Sequence, residues 1–164
     1  MNCFDVMSKA VEIYRARDTY AYFYGAKGQI LTDERMKALW NALYDEHFHK
    51  YNEREKREIF EFSRGRTGID CSGLINLCTG QVNWSTGYYE ASLNKTDPIS
   101  GTWGNLLYTT HGGTGRHVGL DMGEGRFLHA PKEMHTVELG IIRLYDWEAS
   151  GQIAGIDYTL TGNK

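Results

Sequence analysis

Apolar positions along this chain recur at helical spacing through its first half and in short alternating runs through its last third. Val6, Ala10, Ile13 and Tyr14 fall on one face between Asp5 and about Arg17, which predicts a first helix capped by Asp5. The stretch from Asp18 to Gly28 is aromatic and then glycine-rich, and reads as an ordered loop. Beyond Thr32, Met36, Leu39, Trp40, Leu43, Tyr44, Phe48 and Tyr51 step by three and four. This predicts a long amphipathic helix that breaks near Asn52 and runs on through Ile59 and Phe62 to Gly65, with His47 and His49 on its surface. Cys71, Leu74, Ile75 and Cys78 predict a short helix ending at Gly80. Polar and glycine residues dominate from Gln81 to Gly104, with Trp84, Tyr88, Tyr89 and Trp103 as anchors or groove walls. Strand-like runs follow at Leu106 to Thr110, His117 to Met122, Arg126 to Ala130, Thr136 to Leu144 and Ile153 to Leu160. Helices first and an antiparallel sheet afterwards make an α+β layout.

Composition narrows the function classes. With 164 residues the chain fits one domain, residues 1–164, and 41% hydrophobic against 24% charged residues is the balance of a folded globular protein. A formal charge of −3 gives no general attraction to nucleic acid or to an anionic membrane. In the charged run from Glu53 to Glu61, acids alternate with Arg54, Lys56 and Arg57, as on a solvated helix face. No run is long and apolar enough to span a bilayer, and Met1 to Ala10 lacks a secretory leader, so synthesis in the cytosol without a signal peptide is expected. The three cysteines form no C-x-x-C pair, so neither a zinc site nor a disulfide framework is expected, and no cofactor.

Candidate chemistry gathers in the second half. Cys71 follows Gly68-Ile69-Asp70 and opens an apolar helical turn, where backbone N–H groups and the positive end of the helix favour negative charge on sulfur. Cys3 and Cys78 read as buried small hydrophobes. A thiol nucleophile needs an imidazole from elsewhere in the chain. His117 opens one strand-like run and His129 closes the next, the two joined by Gly123-Glu124-Gly125. An antiparallel hairpin would bring them together, so that one takes the thiol proton while the other orients it. His111 and His135 have no such opposite number.

The blocks Asp70-Cys71-Ser72-Gly73-Leu74, His117-Val118-Gly119 and Phe127-Leu128-His129-Ala130-Pro131 resemble, in order and spacing, the signature blocks of NlpC-type cell-wall peptidases. The resemblance runs from Gly68 to about Leu144, with a further block near Tyr22. It implies a papain-like fold of N-terminal helices on a central antiparallel sheet, with Cys71 as nucleophile, His117 as base and His129 as the group that orients it. It also implies an oxyanion-holding tyrosine in Tyr22-Phe23-Tyr24-Gly25, namely Tyr22, with Tyr20 as the alternative. Residues 31–66 separate this block from Cys71 more widely than is usual, as a helical insertion would. The implied substrate is the peptidoglycan stem peptide, cut between D-glutamate and the following diamino acid, with Asp70 and Ser72 on the substrate side, where some relatives hold a free stem-peptide amine. Amidase or other acyl-transfer activity on the same scaffold, and a non-catalytic tail or interaction module, are the alternatives. A wall substrate reached without a leader implies release or delivery by a phage or secretion machine.

Overall fold

The computed structural model describes residues 1–100 and 102–159. Among these residues the chain forms five α-helices and two sheets. Helix α1 (Cys3–Arg15) is capped by Asn2 rather than by Asp5. Asp5 is its third residue, and the two side chains exchange hydrogen bonds with each other's backbone in a capping box. Strands β1 (Tyr20–Tyr22) and β2 (Lys27–Ile30) lie where a loop was expected. They flank β3 (Thr67–Ile69), β1 parallel and β2 antiparallel to it. Pairing with a partner some 40 residues further along leaves no local periodicity, which is why the strands are silent in the sequence.

The segment from 31 to 66 holds two helices: the break near Asn52 falls where the second begins, but the first ends earlier than the stripe suggested, at Ala42. Helix α2 (Asp33–Ala42) is capped by Thr32, and α3 (Glu53–Ser63) by Asn52, which forms a second capping box with Glu55. Between them the chain turns through a single 3-10 turn at Phe48–Lys50, because Phe48 is drawn off the helical stripe into the core. There it stacks on Trp40 at 4.3 Å and meets Phe23 at 5.4 Å. With Leu31, Met36, Ile59 and Phe60 these rings form an apolar cluster separate from the main one.

Helix α4 (Cys71–Thr79) ends at Gly80, whose φ of +70° is the left-handed conformation that a helix stop favours and glycine allows. Helix α5 (Ser85–Ala91) and strand β4 (Leu93–Thr96) occupy the stretch in which no element was expected. The larger sheet adds β5 (Leu106–His111), β6 (Thr114–Gly123), β7 (Arg126–His129), β8 (Glu138–Ile141) and β9 (Ala149–Gln152). Its order is β4-β9-β5-β6-β7-β8, antiparallel throughout. The last strand is therefore Ala149–Gln152 and not a run beginning at Ile153. Its small residues let it pass close under Ser92, and residues 153–159 turn back to bridge Asp157 to Asn2. Leu160, where the last strand was expected to end, and the end of the 1–164 span lie outside the described residues. Helix α4 packs between α1 and β6, and the main core collects Val6, Ile13, Leu74, Ile75, Tyr108, Val118 and Leu120 around it.

A buried carboxylate joins the 31–66 segment to the loop after β7. Glu133 accepts hydrogen bonds from His47 Nε2 at 2.6 Å and from the Tyr51 hydroxyl at 2.7 Å. His47 is accordingly half-buried, stacked on Tyr24 at 4.0 Å, and not at the surface as its place in a polar segment suggested. Glu133→Ala leaves two half-buried polar groups without their acceptor and should lower the unfolding free energy by about 2 kcal/mol, read from the urea midpoint.

Candidate active site

Strand β3 delivers the chain to the N-terminus of α4, so Asp70 becomes the helix cap and Cys71 its first residue. The Asp70 carboxylate accepts the Gly73 N–H at 2.7 Å. Gly73 is required by a close approach: a Cβ there would come within 2.5 Å of the Ala26 carbonyl oxygen, which itself accepts the Asp70 N–H. The Cys71 N–H is among the first N–H groups of the helix, which α-helical geometry leaves without an internal acceptor.

The Cys71 sulfur is buried, with only 8% of the residue exposed. The backbone N–H groups of Val118 and Ser72 point at it, and the Lys27 ammonium lies within electrostatic reach. Burial, followed by the Asp70 charge, outweighs these and pushes the thiol up to about 12. The expectation that the helix terminus would lower it is reversed: the resting group is a neutral thiol.

Val118 places His117 next to the sulfur-facing N–H on β6, where His117 pairs in register with Thr109 of β5. Leu120 pairs with Leu128 across the hairpin, so His129 at the end of β7 stands diagonal to His117. His117 Nε2 and His129 Nδ1 are 2.9 Å apart, the meeting that the hairpin pattern predicted. Burial pulls His117 down to about 4, and burial together with the neighbouring His117 does the same to His129, so both imidazoles are neutral. The His117 ring lies flat against Trp147, with centroids 5.5 Å apart and planes 9° apart. Gly119 admits that indole, since a Cβ would meet its ring at 2.9 Å.

Tyr22 pairs with Ile69, two residues before Cys71, and its hydroxyl is raised well above its ordinary range by burial and then by the charge of Cys71. Tyr20, two positions back along β1, pairs with Thr67 and lies in electrostatic reach of Lys9 instead. The structure thus brings Tyr22, Asp70, Cys71, Ser72, His117 and His129 together. His111 stands at the exposed end of β5, and His135 hydrogen-bonds Glu138 at 2.5 Å.

Sequence reasoning missed Lys27, Tyr145 and Trp147. Lys27 Nζ lies 2.7 Å from both Asp70 oxygens and 2.5 Å from Ser72 Oγ. It is the only charged residue between Thr19 and Leu31, a signal that could have drawn notice. The Tyr145 ring lies 4.6 Å from Trp147 and 5.2 Å from His129, just past the end of the recognised blocks. A cleft of about 500 Å³ opens beside His129 and Tyr145, bordered by Pro131, Lys132, Glu138 and Leu144. Among the described residues no group of three His, Cys, Asp or Glu side chains gathers as metal ligands, and no helix is long and apolar enough to cross a membrane.

No curated protein sequence matches the chain. Among solved structures it is similar to the NlpC/p60 domain of the peptidoglycan hydrolase SagA, with 20% identity and a TM-score of 0.58 over 93% of this chain and 100% of that one. It is similar also to the peptidoglycan hydrolase RipB of Mycobacterium tuberculosis, with 18% identity and a TM-score of 0.60 over 96% of this chain and 68% of that one. RipD of the same organism, described as a non-catalytic NlpC/p60 domain protein adapted to peptidoglycan binding, shares 14% identity at a TM-score of 0.56, over 90% of this chain and 96% of that one. At these identities the likeness is one of fold. The sequence profile of the NlpC/P60 family matches residues 57–150, from within α3 through Cys71, His117 and His129 to β9, and the chain belongs to that family.

Proposed function

We propose that this protein is a cysteine peptidase that cuts peptidoglycan stem peptides, with Cys71 as nucleophile, His117 as base and His129 as the acceptor that orients it. The observation that carries the reading is the 2.9 Å link between His117 Nε2 and His129 Nδ1, beside a sulfur that receives the Val118 N–H. With Nε2 committed to His129, Nδ1 is the His117 nitrogen left for the thiol proton. As Sγ bonds to the substrate carbonyl carbon, the proton passes to Nδ1. The carbonyl oxygen takes the negative charge, held by the Cys71 N–H and the Tyr22 hydroxyl. Collapse expels the amine, which leaves with the proton from His117. Water, deprotonated by the same nitrogen, then releases the acyl group from sulfur. The scissile bond in this reading joins D-glutamate to the diamino acid.

Digestion of purified peptidoglycan of lysine and diaminopimelate types, with fragments weighed by mass spectrometry, tests it. Fragments ending at D-glutamate support the assignment. Cleavage at the sugar-to-alanine amide would make the enzyme an amidase, and wall binding without release would place it with RipD.

The neutral resting pair sets a pH profile. A base is lost when it protonates, and His117, held down at about 4 by burial, protonates only well below the ordinary histidine value of about 6.5. With the thiol raised to about 12, kcat/KM should stay level from about pH 5 to pH 8 and fall only as pH drops toward 4. An acid limb centred near 6.5 would contradict a desolvated base.

A further inference from the structure

Asp70 and Ser72, placed by resemblance on the substrate side, are already occupied by the protein itself. The Asp70 carboxylate is 2% exposed and meets five donor contacts: two from Lys27 Nζ at 2.7 Å, Ser72 Oγ at 3.0 Å, Gly73 N at 2.7 Å and Gly25 N at 3.1 Å. A carboxylate offers about four lone-pair positions, so none is left for a substrate donor. The Lys27 ammonium in turn reaches both Asp70 oxygens and Ser72 Oγ, and its open face is covered by the Trp84 ring, with Nζ 3.9 Å from the centroid.

Its position is fixed by the backbone: Lys27 pairs with Ile69 across β2 and β3, one residue before Asp70. The Lys27 side chain retains 22% of its surface exposure and Trp84 is 52% exposed, so a ligand arriving beside Cys71 meets an ammonium and an indole before it meets the carboxylate.

We propose that Lys27 is a specificity-determining residue, a built-in ammonium that fills the amine position beside the nucleophile, so that the site takes stem peptides whose first residue is acylated and discriminates against those with a free amine. A substrate ammonium finds Asp70 already neutralised and a like charge in front of it. An acylated amine carries no charge and meets the exposed part of the Trp84 indole without that penalty. Stem peptides still joined to the glycan have their first amine in an amide, so the preferred substrate is the intact wall and not released peptide. This inference rests on the stem-peptide reading above.

The test uses the Cys71→Ala protein and synthetic stem tetrapeptides of lysine and diaminopimelate types, each with its N-terminal amine free or acetylated, with binding read by calorimetry. The acetylated forms should bind at least about tenfold tighter, the scale of a like-charge penalty at a partly buried site. Adding Lys27→Met should move the ratio about tenfold toward the free amine by exposing Asp70 as its acceptor, and adding Asp70→Asn to that variant should reverse the move. A free-amine preference in Cys71→Ala overturns the inference, and needs no change at Lys27 to be read. So does an unchanged ratio in a Lys27→Met variant whose near-ultraviolet dichroism matches its parent. Binding of neither peptide would overturn the stem-peptide reading itself.

Discussion

Cys71→Ala should lower the rate of stem-peptide release by about ten-thousand-fold or more, the usual scale for removing a nucleophile. The variant should also fold. Cys71 contributes a small apolar volume at the start of α4, while Leu74, Ile75 and the Asp70 cap, which hold that helix, are untouched. Cys71→Ser is the sharper probe. It keeps a group of similar shape under the Val118 N–H, but a hydroxyl is a far weaker nucleophile and more reluctant to give its proton to an imidazole held near 4. It should therefore be almost as slow as Cys71→Ala. A serine variant within tenfold of the parent on the same wall preparation would mean that Cys71 does not attack. Cys78 provides the control: buried in the same core, it is raised to about 12 by burial against the opposing charge of Lys9, and Cys78→Ala should change the melting temperature but not the rate per folded molecule.

The arrangement around Cys71 was legible in the sequence to the extent that it rests on local pattern. The hairpin that joins His117 to His129 announces itself by alternation on either side of a glycine turn, and the start of α4 by an aspartate before an apolar turn. What local pattern cannot carry was missed. Strand β2 has no alternating face and exists because β3 pairs with it, and Lys27 matters only through that pairing. Tyr145 and Trp147 come from a segment with no strand character, yet the antiparallel pairing of β9 with β5 carries them to the histidines. The stripe from 32 to 65 breaks near Asn52 as its pattern indicated, but its first helix stops at Ala42, for the opposite reason. Its three-and-four stripe is real, but Phe48 does more in the cluster with Trp40 and Phe23 than on a helix face, and Asn52 with Glu55 restarts the helix. Burial also reversed the expected charge on Cys71, and no one-dimensional pattern reports how deeply a side chain will be covered.

The second large effect belongs to His129, and its direction depends on tautomers. For His117 Nδ1 to accept a proton, the proton of the neutral ring must sit on Nε2, and at 2.9 Å that N–H needs an acceptor. His129 Nδ1 is an acceptor only while its ring is neutral with its own proton on Nε2; burial that pulls His129 down to about 4 keeps the ring neutral, and a hydrogen bond received from His117 selects that tautomer. His129→Leu removes the acceptor in a buried place. The His117 proton is then free to shift to Nδ1, where it blocks the approach of the thiol proton, and kcat should fall by about a thousandfold, between the loss of an ordinary hydrogen bond and that of a whole nucleophile–base pair. Asparagine at 129 can set an amide oxygen near the position of the lost Nδ1. It accepts without titrating, so His129→Asn should recover at least a hundredfold of that loss, on the scale of one oriented catalytic hydrogen bond. If leucine and asparagine at 129 were equally slow in proteins of equal stability, orientation through an acceptor would not be the role of His129. Steric support of the His117–Trp147 stack, whose rings lie 5.5 Å apart, would then be what the side chain provides.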